Sequence, residues 1–93
     1  MTARGMSPRI TSPQEGLTYS LRAAAVGDDA IPLTAVTDAD AREVFWFVDA
    51  ELVGRTRRGE PLLWNARPGL FVVRAVDDQG RAGAVRARVA VVQ

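Results

Sequence analysis

Three residue types that carry much of protein chemistry are missing from this chain. It has no Cys and no His, and all twelve of its cations are Arg, so there is no Lys either. Without Cys there is no disulfide, thiol nucleophile or thiolate metal site. Without His the commonest general base and the commonest metal ligand are gone. Ser7, Ser12 and Ser20 therefore have neither a Ser-His nor a Ser-Lys partner. Only carboxylate chemistry survives, and the chain reads as a non-enzyme with no cofactor. Charge of one sign is also lacking: twelve cations face eleven anions, and a net charge of +1 has no long-range field to gather nucleic acid. No stretch approaches the ~20 apolar residues of a membrane span. The start, Met1 to Met6, carries a charge but no apolar h-region, so it does not read as a signal peptide. The expectation is a cytosolic protein, or a fragment of a longer exported one.

Aromatics are scarce, six in ninety-three residues, and three of the six fall in one place. Val44-Phe45-Trp46-Phe47-Val48 is a run of β-branched and aromatic residues between Glu43 and Asp49. That is the pattern of a short, well-covered strand. Successive side chains in a strand point to opposite faces, so Val44, Trp46 and Val48 share one face and Phe45 and Phe47 the other. The face with Trp46 is the expected core side, because a buried indole withdraws roughly 150–250 Å² from water.

Around this strand the chain breaks into short pieces. Residues 1–8 read as a loose leader, and 9–93 as one domain. Arg9 to Ser12 is an expected edge strand ended by Pro13, and Leu17 to Leu21 a second. Arg22 to Val26 reads as loop ahead of Gly27-Asp28-Asp29. Ile31, Leu33 and Ala35 alternate on one face of a third strand. Leu52 to Arg55 returns beside the central strand as a hairpin, and Pro61 to Asn65 is another short strand. Leu70 to Val76 puts Phe71, Val73 and Ala75 on one side. Asp77 to Arg81 is a hairpin loop with Gly80 in a left-handed position. Ala84 to Val92 puts Val85, Ala87, Val89 and Val91 inward, with Arg86 and Arg88 on the wet face. Seven or eight short strands without a convincing helix predict an all-β, immunoglobulin-like antiparallel β-sandwich, with a small open barrel as the alternative. Its expected core anchors are Val44, Trp46, Val48, Phe71, Val73, Val85 and Val89.

Few residues carry a sharper reading. Asp28, Asp29, Asp38, Asp40, Asp49, Asp77 and Asp78 suit a hard cation by chemistry, but their spacing is not that of a calcium loop, and Asp is an ordinary turn and cap residue. No metal site is assigned. Glu43 and Glu51 flank the hairpin as a nominal acid/base pair, yet a hairpin edge supplies no cleft to separate their pKa values. Arg55, Arg57 and Arg58 form a basic patch without interleaved aromatics, with Glu51 and Glu60 near enough to neutralise it. Phe45 and Phe47 matter most. If Trp46 points inward, both rings lie on the outer face, either covered locally or forming a docking surface with Trp64 and framed by Arg55.

Read in order, Ile10-Thr11-Ser12-Pro13 with Gly16 and Tyr19, Trp46-Phe47-Val48-Asp49, Pro61-Leu62-Leu63-Trp64, Pro68-Gly69 and Val76-Asp77-Asp78-Gln79-Gly80-Arg81 resemble the C-terminal domain of the penicillin-binding protein 1C family of bifunctional peptidoglycan synthases. The likeness runs from about Ile10 to Gln93. It implies a non-catalytic immunoglobulin-like module of a periplasmic parent anchored to the inner membrane. The glycosyltransferase and transpeptidase residues of that family lie in other domains, so none maps here. The implied partner is the parent's transpeptidase domain, a periplasmic cell-wall protein or glycan; neither nucleic acid nor direct membrane insertion is expected, and the isolated domain is expected to be monomeric. One departure is Ala50, where the family often has Gly, which argues against a tight two-residue turn with a positive φ.

Overall fold

The computed structural model describes residues 5–22 and 30–92. Among these there is no helix, and eight strands make up the regular structure. They are β1 (Arg9–Ser12), β2 (Thr18–Arg22), β3 (Ala30–Val36), β4 (Glu43–Val48), β5 (Glu51–Arg57), β6 (Leu62–Asn65), β7 (Gly69–Asp77) and β8 (Ala82–Val92). Strands β1-β3-β6 form one sheet, and β2-β8-β7-β4-β5 form the other. The two pack face to face as a sandwich, not as a barrel. Loop residues Arg22 to Val26, apart from Arg22 itself, and the Gly27-Asp28-Asp29 stop lie outside the described residues.

One ladder departs from the antiparallel expectation. Strand β2 runs parallel to β8, with Thr18 opposite Arg88 and Arg22 opposite Val92. Pro13, which is buried and has no N–H to carry the β1 ladder further, ends that strand. The chain leaves the smaller sheet at that point, crosses over, and enters the larger sheet beside its last strand.

Alternation then decides which side chains are buried. In β4 the inward set Val44, Trp46 and Val48 is buried, and Phe45 and Phe47 on the outer face are half-buried. Trp46 is 1% exposed, and its indole N–H donates to Thr56 Oγ1 at 3.0 Å. Removing such a ring from water contributes roughly 4–6 kcal/mol at about 25 cal/mol per Å². Val73, Ala75 and Val89 from the same sheet and Ile10, Ile31 and Leu33 from the other close around it, with Phe71 and Val85 packed at the margin.

The β4–β5 hairpin corrects the expectation drawn from Ala50. It does turn on two residues, since Val48 pairs with Glu51. The positive φ falls on Asp49, at 54°, and not on Ala50. Asp tolerates that region far better than Ala does, and the Asp49 carboxylate Oδ1 also accepts the Val72 N–H at 2.9 Å.

A polar lock closes one end of the sandwich. Asp77 continues the inward phase of Val73 and Ala75 and is buried. Its Oδ1 accepts the N–H groups of Gln79 and Arg81, both at 2.9 Å, while Oδ2 takes Arg81 Nε at 2.8 Å. Arg81 also reaches Asp40 through Nη2. These carboxylates, Asp40 first and Asp77 next, hold the guanidinium pKa above its ordinary value. Gly80, at φ 85°, lets the loop turn tightly enough to bring Arg81 back onto Asp77. Neighbouring loops are tied in as well. Asp78 Oδ1 accepts the Arg42 N–H at 3.0 Å, Arg58 Nη1 donates to the Ala39 carbonyl, and Asp38 Oδ2 accepts the Met6 N–H at 2.9 Å. That last bond lowers the Asp38 pKa below the usual carboxylate value. Of the leader expected to be loose, residues 1–4 lie outside the described ones, whereas Met6 is bonded to Asp38 and Pro8 is buried.

Candidate functional site

The outer face of the five-stranded sheet carries the residues of interest. Cross-strand pairing sets them in rows. Arg55 of β5, Phe45 of β4 and Val76 of β7 make one row, and Leu52, Phe47 and Arg74 make the next. A bulge at Val53 puts Leu52, rather than Val53, opposite Phe47. Leu52 is left 57% exposed. Two further rows continue the face along β7 and β8, where Val72 pairs with Arg86 and Leu70 with Arg88. Leu70 is 66% exposed and Val72 43%.

Local cover reaches part of this surface. The Arg74 guanidinium sits over the Phe47 ring, 4.8 Å from its centroid, a cation–π contact worth about 0.5–1 kcal/mol at an exposed site. Arg55 Nε approaches Glu43 Oε2 at 3.8 Å with both side chains well exposed, which adds little. Among the described residues, Arg74 and Arg88 have no carboxylate within ion-pair distance. Neither Arg74 nor its stacking was foreseen. The available signal was alternation: Leu70, Val72, Arg74 and Val76 are out of phase with the inward Phe71, Val73 and Ala75.

Phe45, Phe47 and Arg55 do come together. Trp64 does not join them. It lies on β6 in the other sheet, in register with the inward Ile31, and is 8% exposed. Its ring meets Phe71 edge to face at 5.1 Å, so it belongs to the core. Leu63, one residue earlier, takes the outward place at 67% exposed.

The remaining candidates disperse. Glu43 and Glu51 sit at opposite ends of the β4–β5 hairpin, roughly 17 Å apart along the strand direction, too far to act on one atom. Arg58 is turned away to hold the Ala39 carbonyl, which breaks up the Arg55, Arg57 and Arg58 patch. Asp38, Asp40, Asp49, Asp77 and Asp78 each accept a hydrogen bond from backbone or Arg81. Among the described residues no cluster of three carboxylates is placed to hold a metal; Asp28 and Asp29 lie outside them.

A shallow groove of about 360 Å³ ends this face, between Glu15, Gly16, Leu17 and Thr18 on one side and β7–β8 on the other. Glu15 accepts the Arg86 N–H at 2.7 Å and Nε at 3.1 Å. The backbone bond chiefly, with the guanidinium behind it, lowers the Glu15 pKa below the usual carboxylate value.

Comparison with solved structures places the architecture. The chain is similar to the fibronectin(III)-like modules of Clostridium thermocellum CbhA, with a TM-score of 0.69 at 21% identity over 92% of this chain and 99% of that one. It is also similar to part of the Bacteroides ovatus mixed-linkage glucan utilization locus protein SGBP-B, solved in complex with a mixed-linkage heptasaccharide. There the TM-score is 0.55 at 15% identity, over 94% of this chain and 25% of that one. At these identities the likeness is one of fold: an immunoglobulin-like, fibronectin III-type sandwich. No curated protein matches the sequence. The profile of a domain family does, over residues 1–87, and with it the ordered motifs on β1, β4, β6 and the β7–β8 loop have their explanation: the chain belongs to the Penicillin-Binding Protein C-terminus family.

Proposed function

We propose that this domain is a non-catalytic docking module of a periplasmic, inner-membrane-anchored peptidoglycan synthase. In this reading the outer face of its larger sheet rests on the parent's transpeptidase domain or on another cell-wall protein. The carrying observation is the make-up of that face. Half-buried Phe45 and Phe47 lie beside exposed Leu52, Val72 and Leu70, framed by Arg55, Arg74, Arg86 and Arg88. Large rigid apolar groups with arginine are what carry contact energy at protein interfaces, and a monomer seldom leaves such a patch open without use.

A glycan-binding reading finds less support. Sugar rings stack on exposed aromatic planes, and here both Trp side chains are buried. The saccharide-bound neighbour is four times longer than the region it shares with this chain.

The test pairs thermal melts of wild type and Phe47→Ser with a pull-down on the transpeptidase domain encoded with this module. The expected result is a folded variant with weakened capture. Unchanged capture by a folded variant overturns docking through Phe47, and collapse on heating would assign Phe47 to the fold instead.

A further inference from the structure

The lower half of the outer face has a composition that specifies its partner's chemistry. On β7, Leu70 and Val72 project outward as an apolar column. On β8, directly opposite them, Arg88 and Arg86 form a cationic column. Leu17, 47% exposed, extends the apolar side across the groove. Adjacent strands lie about 4.8 Å apart and alternate residues about 6.8 Å apart. The surface therefore repeats apolar-beside-cation twice at side-chain spacing. Among the described residues its one carboxylate is Glu15, which is engaged by Arg86 at one edge. Arg88 has no carboxylate partner among the described residues, and Arg74 above it has only the Phe47 ring. The cations on this face exceed its anions although the whole chain is nearly neutral.

We infer that this groove takes an acidic, leucine-bearing segment of a partner protein, whose apolar side chains seat on Leu17, Leu70 and Val72 while its carboxylates meet Arg88 and Arg86. The inference rests on the docking reading and adds the partner's character. Charge complementarity selects an acid over a base. The apolar column selects a polypeptide over a polyanionic polymer, which would use the arginines and ignore the leucine. Guanidinium is suited to the task, since its planar fork grips a carboxylate with two bonds.

The experiment uses the 93-residue chain, isotope-labelled for NMR, and three short synthetic peptides: one with paired leucines among glutamates, one all-glutamate of equal charge, and one with lysine replacing every glutamate. The leucine–glutamate peptide should shift the amide signals of Leu17, Leu70, Val72, Arg86 and Arg88. Its binding should weaken about fivefold or more in Arg88→Glu and in Leu70→Ser, as well as between about 0.05 and 0.5 M salt. Both positions are exposed, so the variants should melt close to wild type. Equal binding of the all-glutamate peptide, with Leu70→Ser without effect, would mean a polyanion surface and overturn the inference. So would binding of the lysine peptide, or no binding of the first. If Arg88→Glu retains capture of the transpeptidase domain while Phe47→Ser loses it, docking stands and this half of the face is not its seat.

Discussion

Replacing Asp77 with Ala is the most informative single change to the fold. The side chain is buried and accepts three hydrogen bonds, two from backbone N–H groups and one from Arg81 Nε. Its loss leaves the Arg81 guanidinium, whose side chain is only 9% exposed, paired with Asp40 at the rim but without the buried carboxylate. Breaking a buried pair from one side costs about 3–5 kcal/mol when the survivor is stranded. Here Asp40 remains, and the two backbone donors lie in a turn that water can reach. We therefore expect about 2–4 kcal/mol, closer to the cost of unsatisfied polar groups. Asp77→Asn keeps Oδ1 as an acceptor and should lose about half as much. A domain of this size has roughly 5–14 kcal/mol in total, so the Ala variant should show a clearly lower urea midpoint. Trp46 and Trp64 are both buried and report unfolding by fluorescence. A loss under about 0.5 kcal/mol for Asp77→Ala would mean that Arg81 re-pairs completely with Asp40, and that the loop is not a lock.

Trp46→Ala should cost about 3–5 kcal/mol in the same urea melts, the usual range for truncating a buried large aromatic; a loss below about 1 kcal/mol would contradict its place at the centre of the core. Stability should also fall in acid. Glu15 and Asp38 hold pKa values below their ordinary 4.5 and 3.8, so near pH 4 the unfolded chain binds more protons than the folded one. Their contribution is complete above the ordinary values and is lost as pH drops through the lowered ones. Melting temperatures level from neutral pH down to about 5 and falling below about 4 are expected, and Asp38→Asn should flatten part of that fall. A fluorescent penicillin should not label the chain covalently, because no base stands beside any described Ser; stoichiometric labelling would refute this.

Much of the sandwich is legible in the sequence because most of its strands bury one face only. Alternation alone then sets inward and outward sides for β3, β4, β7 and β8. It fails where both neighbours are apolar. In Leu62-Leu63-Trp64 the pattern cannot say whether Leu63 or Trp64 turns inward, and the register with Ile31 and Leu33 on β3 decides it. The β2–β8 pairing is hidden for another reason: it joins residues about seventy positions apart and leaves no local mark. The Asp77 lock did leave one. Val73, Ala75 and Asp77 are in phase, so a strand with this alternation points a carboxylate inward, and Arg81 four residues on is the cation able to meet it. Reading Asp77 as a turn residue passed over that phase.

Gly83 tests whether the segment ahead of β1 is part of the fold. It sits in β8 opposite Ala75, with an extended backbone that Ala adopts without strain. Only space forbids a side chain there. A Cβ at this position would lie well inside van der Waals contact distance of the Pro8 carbonyl oxygen, which is backbone and cannot rotate aside. Gly83→Ala must therefore displace either β8 or the Gly5–Pro8 segment. Strand β8 is held by β7 from Ala82 to Val89 and by β2 from Arg88 to Val92, so the segment should yield. That breaks the Met6–Asp38 bond, exposes Pro8, and removes the cause of the lowered Asp38 pKa. The expected loss is about 1–2 kcal/mol, one exposed hydrogen bond plus a buried proline's contacts. Deleting residues 1–8 should cost a similar amount, and adding the deletion to Gly83→Ala should cost little more, because both act on one contact. Hydrogen exchange at Met6 and Ser7 gives the direct readout, with faster exchange in Gly83→Ala and no change at Trp46. If the two losses simply add, or if Gly83→Ala leaves exchange at Met6 untouched, the segment is not packed on β8, and the fold begins at Arg9.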